Sequence, residues 1–194
     1  MISLELVKEL RARTGAGIVE CREALAEADG DLEKAITILR KKGVVKAAKK
    51  ADRTTGEGVV ASYIHGNQKL GVIVALRCET DFVARNEKFQ ELARNIAMHI
   101  AAADPIAISP SDIDPALVAA EREVAQEQVG ASGKPAAIQE KMLTGKLKAF
   151  TEERTLLTQV YVKDPSITVQ DLITAAIHEL GENITVSGFK RLSI

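Results

Sequence analysis

The sequence predicts an α+β protein, with a small N-terminal three-helix domain followed by an antiparallel-sheet core covered by helices. Three observations carry this expectation. Apolar residues recur at helical spacing in three short segments before residue 43, each bounded by turn residues. Two β-branched, roughly alternating runs then face each other across Gly66-Asn67-Gln68, as in a hairpin. The chain then returns to helical spacing and closes on a further β-rich run.

Taken in order, Ser3 is placed to cap the first helix, which carries Leu6, Val7 and Leu10 on one face and stops at Gly15. The second helix shows Ile18, Cys21, Leu25 and Ala28 at intervals of three and four. Asp31 caps the third, where Leu32, Ala35, Ile36 and Leu39 share a face and Gly43 is expected to end the helix. A bundle over 1–43 buries little surface and needs a partner or tight turns. Residues 40–53 hold seven basic residues and one acid, and "TTGEG" then breaks the pattern. A basic connector and linker is therefore expected over 44–57, with the core domain over 58–194. The core opens with the hairpin "GVVASYIH" and "KLGVIVALRC". A helix begins at Glu87, with Phe89, Leu92, Ala93, Ile96 and Ile100 on one face, and Asp104-Pro105 ends it. Asp114-Pro115 starts another, cap then proline, and Pro135 opens one expected to run through Met142. Thr168 and Asp171 form a capping box ahead of Val169, Leu172, Ile173, Ala176, Ile177 and Leu180, closed by Gly181. "NITVSGFKRLSI" reads as a terminal strand.

Composition narrows the function. Hydrophobic residues make up 46% of the chain and aromatics only 3%, so the core rests on Ala, Val, Ile and Leu. A net charge of −1 argues against bulk nucleic acid as the main partner. The start "MISLELVKEL" lacks the form of a secretory leader, and no apolar run approaches the ~20 residues of a membrane span. Together with two cysteines and no Cys-x-x-Cys, this predicts a soluble cytoplasmic protein with reduced thiols and no membrane partner. "TGKLK" fails as a phosphate loop, because Glu140 stands where the first glycine belongs and Leu147 where Ser or Thr belongs. His65, His99 and His178 are far apart in sequence and are expected at the surface or its boundary. No catalytic residue, metal site or cofactor is expected. The basic run is either a solvated linker helix or an RNA contact, though no aromatic interleaves with it to stack bases. Cys78 is either a packed thiol or a nucleophile.

The stretch "CETDFVARNEKF", residues 78–89, sets an acid and an aromatic, Asp81 and Phe82, at an expected helix start in a chain with four Phe. Thr80 is placed to cap that short helix, Val83 to face the core, and Asn86 to cap the helix that follows. Phe82 either protrudes or packs onto its own sheet.

The stretch resembles the signature of the elongation factor Ts family. "LVKELRARTGAG", "CREALAEADGDLEKAITILRKKG" and "KAAKKADR" resemble that family's N-terminal helical domain, and "VKDPSITVQDLI" with "HELGENITVSGFKR" its C-terminal core segment. Two departures stand out: Ile18-Val19 occupies a place where the family often has two methionines, and Asp52 one where it often has glycine. The resemblance implies a UBA-like N-terminal domain and a non-enzymatic guanine-nucleotide exchange factor for elongation factor Tu, a GTPase that holds GDP through a phosphate loop and Mg²⁺. It implies that Thr80, Asp81, Phe82 and Val83 insert near that site, with Phe82 as a wedge and Asp81 disturbing the Mg²⁺, and that Ile18 and Val19 make a second contact. Longer members carry a coiled-coil insertion, a second core subdomain and a C-terminal module, all expected to be absent here. A narrow three-stranded sheet with an unpaired edge predicts a homodimer and a two-plus-two complex. Rival readings are an RNA-binding module that uses the basic connector and a small enzyme with an unrecognised site.

Overall fold

The computed structural model describes residues 2–194. Its N-terminal helices begin and end where local chemistry satisfies their free backbone groups. Helix α1 (Leu4–Thr14) starts with Ser3 Oγ accepting from the Leu6 N–H at 3.2 Å and stops at Gly15, whose φ of 67° suits glycine. Helix α2 (Ile18–Glu27) follows, and α3 (Leu32–Ala48) opens on Asp31, which accepts from the Lys34 N–H. Leu10, Cys21, Ala24, Leu25, Ala35 and Leu39 form one apolar cluster between the three.

Gly43 does not end α3, contrary to expectation. The helix runs on through Gly43, because an interior glycine costs only about 1 kcal/mol in helix propensity and the second half of α3 is held by tertiary contacts. There α3 packs on α8 (Val169–Leu180), and a Cβ at position 43 would meet His178 at 3.9 Å, an ordinary contact distance. The basic run is docked rather than freely solvated. Lys46 is ion-paired to Glu20, which also lies 3.2 Å from His178 Nε2. Lys50 Nζ donates to the carbonyl of Gly181 at 2.6 Å, closing the negative end of α8, and burial lowers its pKa. Arg53 reaches Glu79 at 3.5 Å.

The core sheet has the order β1 (Glu57–Ile64), β2 (Leu70–Cys78), β5 (Thr185–Ser193), antiparallel throughout, so the hairpin and the terminal strand pair as expected. A one-turn helix α4 (Asp81–Ala84) and then α5 (Glu87–Ala103) follow β2. Val72, Val74 and Leu76 face one side of the sheet, where Phe89, Leu92, Ile96 and Ile100 of α5 and Ile173 and Ile177 of α8 complete the core. The alternate residues face the other way. Ile73 lies in register with Ser62 and Lys190, and Gly71 with Ile64 and Leu192, so Val60, Ile64, Ile73 and Leu192 form an exposed apolar strip.

Helices α6 (Pro115–Gly130) and α7 (Ala136–Arg154) leave that strip open. They pack on each other, burying Ala125 and Val129, and belong to neither apolar cluster. The sheet is covered on one face by α5 and α8, and the α6–α7 pair stands apart from that core as a helical arm. Helix α7 continues past Met142 because the interior Gly145 costs only ~1 kcal/mol in helix propensity, too little to break a helix braced by its neighbour. Its base is stitched by backbone bonds, Ile106 N–H to Arg154 O and Leu156 N–H to Ala107 O, each 2.9 Å. A small ladder, β3 (Val160–Tyr161) with β4 (Asp164–Thr168), leads into α8. These strands are too short for periodicity to reveal them.

His99 corrects another expectation, because it is wholly buried. Its Nδ1 accepts from the Val162 N–H at 3.3 Å, and its Nε2 lies 3.0 Å from Gln159 Oε1. Burial holds its pKa below the usual value, so it serves as a neutral strut between α5 and the ladder. His65 is exposed and His178 lies at a boundary, as expected.

Candidate functional site

At the end of β2 the chain turns from a buried strand into exposed helix. Cys78 is buried, its thiol donates to the Thr80 carbonyl at 3.2 Å, and burial pushes its pKa to about 11. It is a protonated packing residue and not a thiolate nucleophile. Thr80 is extended, with φ −127° and ψ 157°, and its hydroxyl oxygen faces the Val83 N–H at 3.5 Å as the cap of α4. Ala84 is buried and Val83 half-buried against the core, which pins the turn from beneath. Asn86 Oδ1 then accepts from the Lys88 N–H at 2.9 Å and starts α5.

These anchors leave Phe82 on the outside, 81% exposed. The reading in which it packs onto its own sheet is overturned. Burial of a phenylalanine side chain stabilises by roughly 1.5–3 kcal/mol, so this position forgoes a contribution that Phe89, fully buried seven positions on, realises. Beside it the Asp81 carboxylate is 3.0 Å from Arg85 and half-exposed. Thr80, Asp81, Phe82 and Val83 are thus brought together on one rigid corner.

Ile18 and Val19 sit elsewhere, on the first turn of α2, 51% and 67% exposed. They belong to the N-terminal helices and the corner belongs to the core. Among the described residues no group of three or more His, Cys, Asp or Glu side chains is placed to hold a metal ion, and no helix is long and apolar enough to cross a membrane.

Sequence reasoning missed the groups behind the corner. Glu182, in the turn after α8, accepts from the backbone N–H of Glu79 and of Thr80, and Asn183 donates its own N–H to Glu79 Oε1 at 2.6 Å. Both lie in the "GENI" stretch already noted in the sequence, but nothing in its spacing ties it to a segment a hundred residues earlier.

Fold and site together define an α+β protein whose distinctive surface feature is a braced, projecting aromatic turn and not a cavity lined with reactive groups. Residues 23–194 match the family model described as Elongation factor TS. The chain is 53% identical to elongation factor Ts of Thermosipho melanesiensis, over all of this chain and 99% of that protein. It is 52% identical to that of Fervidobacterium nodosum, over 98% of that protein, and 49% identical to that of Koribacter versatilis, over 88%. This chain belongs to the elongation factor Ts family.

Proposed function

We infer that this chain is a guanine-nucleotide exchange factor for the translational GTPase elongation factor Tu, working in the cytoplasm without catalytic chemistry of its own. The observation that carries this reading is Phe82, an exposed aromatic on a turn held rigid from both sides. Exchange requires only that the factor bind the nucleotide-free partner better than the nucleotide-bound one, and linkage makes that preference reciprocal. Weakening GDP a thousand-fold takes roughly 4 kcal/mol of coupling. Inserting one Phe supplies about 2–3 kcal/mol. Asp81 supplies the remainder by disturbing the Mg²⁺ site, which tolerates little departure from octahedral geometry.

The test is release of labelled GDP from elongation factor Tu with and without this chain. Asp81→Ala is expected to slow release more at high than at low Mg²⁺, and an equal defect at both concentrations would count against its role. Ile18 and Val19 provide the second contact, tethered to the first through the connector, which raises the effective concentration of the wedge. In this reading 1–43 is one unit, 44–57 the connector and 58–194 the exchange core.

The exposed strip of Val60, Ile64, Ile73 and Leu192 supports a homodimer, and hence a two-plus-two complex. A sheet with one bare apolar face and unpaired outer strands is stabilised by a second copy across a two-fold axis. Light scattering at micromolar concentration is expected to give twice the 20.9 kDa of one chain. A single-chain mass that holds on concentration would exclude the dimer.

A further inference from the structure

The corner that presents Phe82 is clasped from behind by one carboxylate. Glu182 Oε2 accepts from the backbone N–H of Glu79 and of Thr80, each at 3.0 Å, and Oε1 accepts from the Thr80 hydroxyl at 2.6 Å. The clasp is reciprocal, since Glu79 Oε1 accepts from the Asn183 N–H at 2.6 Å. Asn183 is 4% exposed, and its Nδ2 donates to the carbonyls of Ala51 and Arg53 at 3.2 and 2.9 Å, fixing the clasp to the connector. Hydrogen bonds to a charged acceptor are the stronger kind. A hydroxyl has one proton. Because Thr80 gives its proton to Glu182, its lone pairs are left to receive the Val83 N–H, so the same carboxylate orients the cap of α4.

We propose that Glu182 is a positioning residue for nucleotide exchange: it holds the peptides at 79 and 80 so that Phe82 projects in one direction before the partner arrives. The proposal rests on the reading of Phe82 as the wedge. When only a fraction of molecules hold the competent conformer, apparent affinity falls by that fraction. A turn that projects correctly a tenth of the time therefore loses about tenfold in exchange at limiting factor.

The chain contains no Trp, so Phe82→Trp creates a single indole at the corner. Adding Glu182→Ala to that protein is expected to lower the fluorescence anisotropy of the indole. In the parent protein Glu182→Ala is expected to slow GDP release about tenfold. The Glu182→Ala, Phe82→Ala double variant should be no slower than Phe82→Ala alone, because Glu182 acts through Phe82. Unchanged anisotropy, or losses that multiply in the double variant, would overturn the proposal. If Glu182→Ala does not fold, Glu182→Gln carries the same measurements, with losses expected between parent and alanine and parental values in both readouts overturning the role. Phe82→Ala at the parental rate would instead sink the wedge reading and this proposal with it, while the anisotropy still reports whether Glu182 fixes the turn.

Discussion

Phe82→Ala is expected to cut stimulated GDP release by an order of magnitude or more while the free protein melts at nearly its parental temperature. The side chain touches little of its own fold, being 81% exposed, so its removal opens no cavity. Surface changes of this kind shift stability by less than about 0.5 kcal/mol, which for a chain of this size is roughly 1–2 °C. What is lost is contact area realised only against the partner, about 2–3 kcal/mol, and tenfold in rate corresponds to ~1.4 kcal/mol. Stopped-flow release of a fluorescent GDP, beside a thermal melt of the same sample, reads both quantities. A parental rate, or a melt lowered by many degrees, would refute the assignment.

Phe89→Ala should behave in the opposite way. Phe89 is fully buried on the first turn of α5, packed into the cluster with Val72, Val74, Leu76 and Leu92. Truncating a buried Phe costs about 3–5 kcal/mol, part lost transfer energy and part cavity. At about 2–4 °C per kcal/mol, the melting temperature should fall by roughly 6–20 °C. Below that new melt, GDP release per folded molecule should stay close to parental, because the corner is also held by Thr80 and the clasp behind it. Calorimetry beside the exchange assay distinguishes the two phenylalanines, and a melt lowered by less than 3 °C would show that α5 is anchored by other residues.

The contrast shows what the sequence could and could not reveal. The helix starts were legible because a cap is a local event. Ser3, Asp31, Thr80, Asn86, Asp114 and Thr168 each bond a backbone N–H within three residues, so identity and offset suffice. The hairpin was legible for the same reason. Gly43 was misread because the contacts that carry α3 past it come from α8, which is distant in sequence, and a glycine inside such a helix resembles a glycine at a helix end. His99 was misread for its type, although its offset of three from Ile96 places it on the buried face of α5. At the corner itself, the residues were legible as an oddity and their exposure was not, since an alternating strand followed by a cap is equally compatible with Phe82 turned inward. The carboxylate behind them was beyond local pattern altogether, because its partners lie about a hundred residues earlier in the chain.

The stitched base of α6 and α7 has its own consequence. Chain enters and leaves the projection at one place, where Ile106 bonds Arg154, Ala107 bonds Leu156 and Ile108 bonds Leu157, so the two helices hang from the core like a bracket on one short row of screws. Only Ala125 and Val129 are buried along α6, and no residue along α7. Such an appendage opens by itself, as a local unit of low stability, while the sheet below keeps its register. Its length is therefore free to drift in either direction. Turns of helix added or removed in matched pairs alter how far the arm reaches, and the geometry at the stitch, and with it the fold underneath, is unaffected.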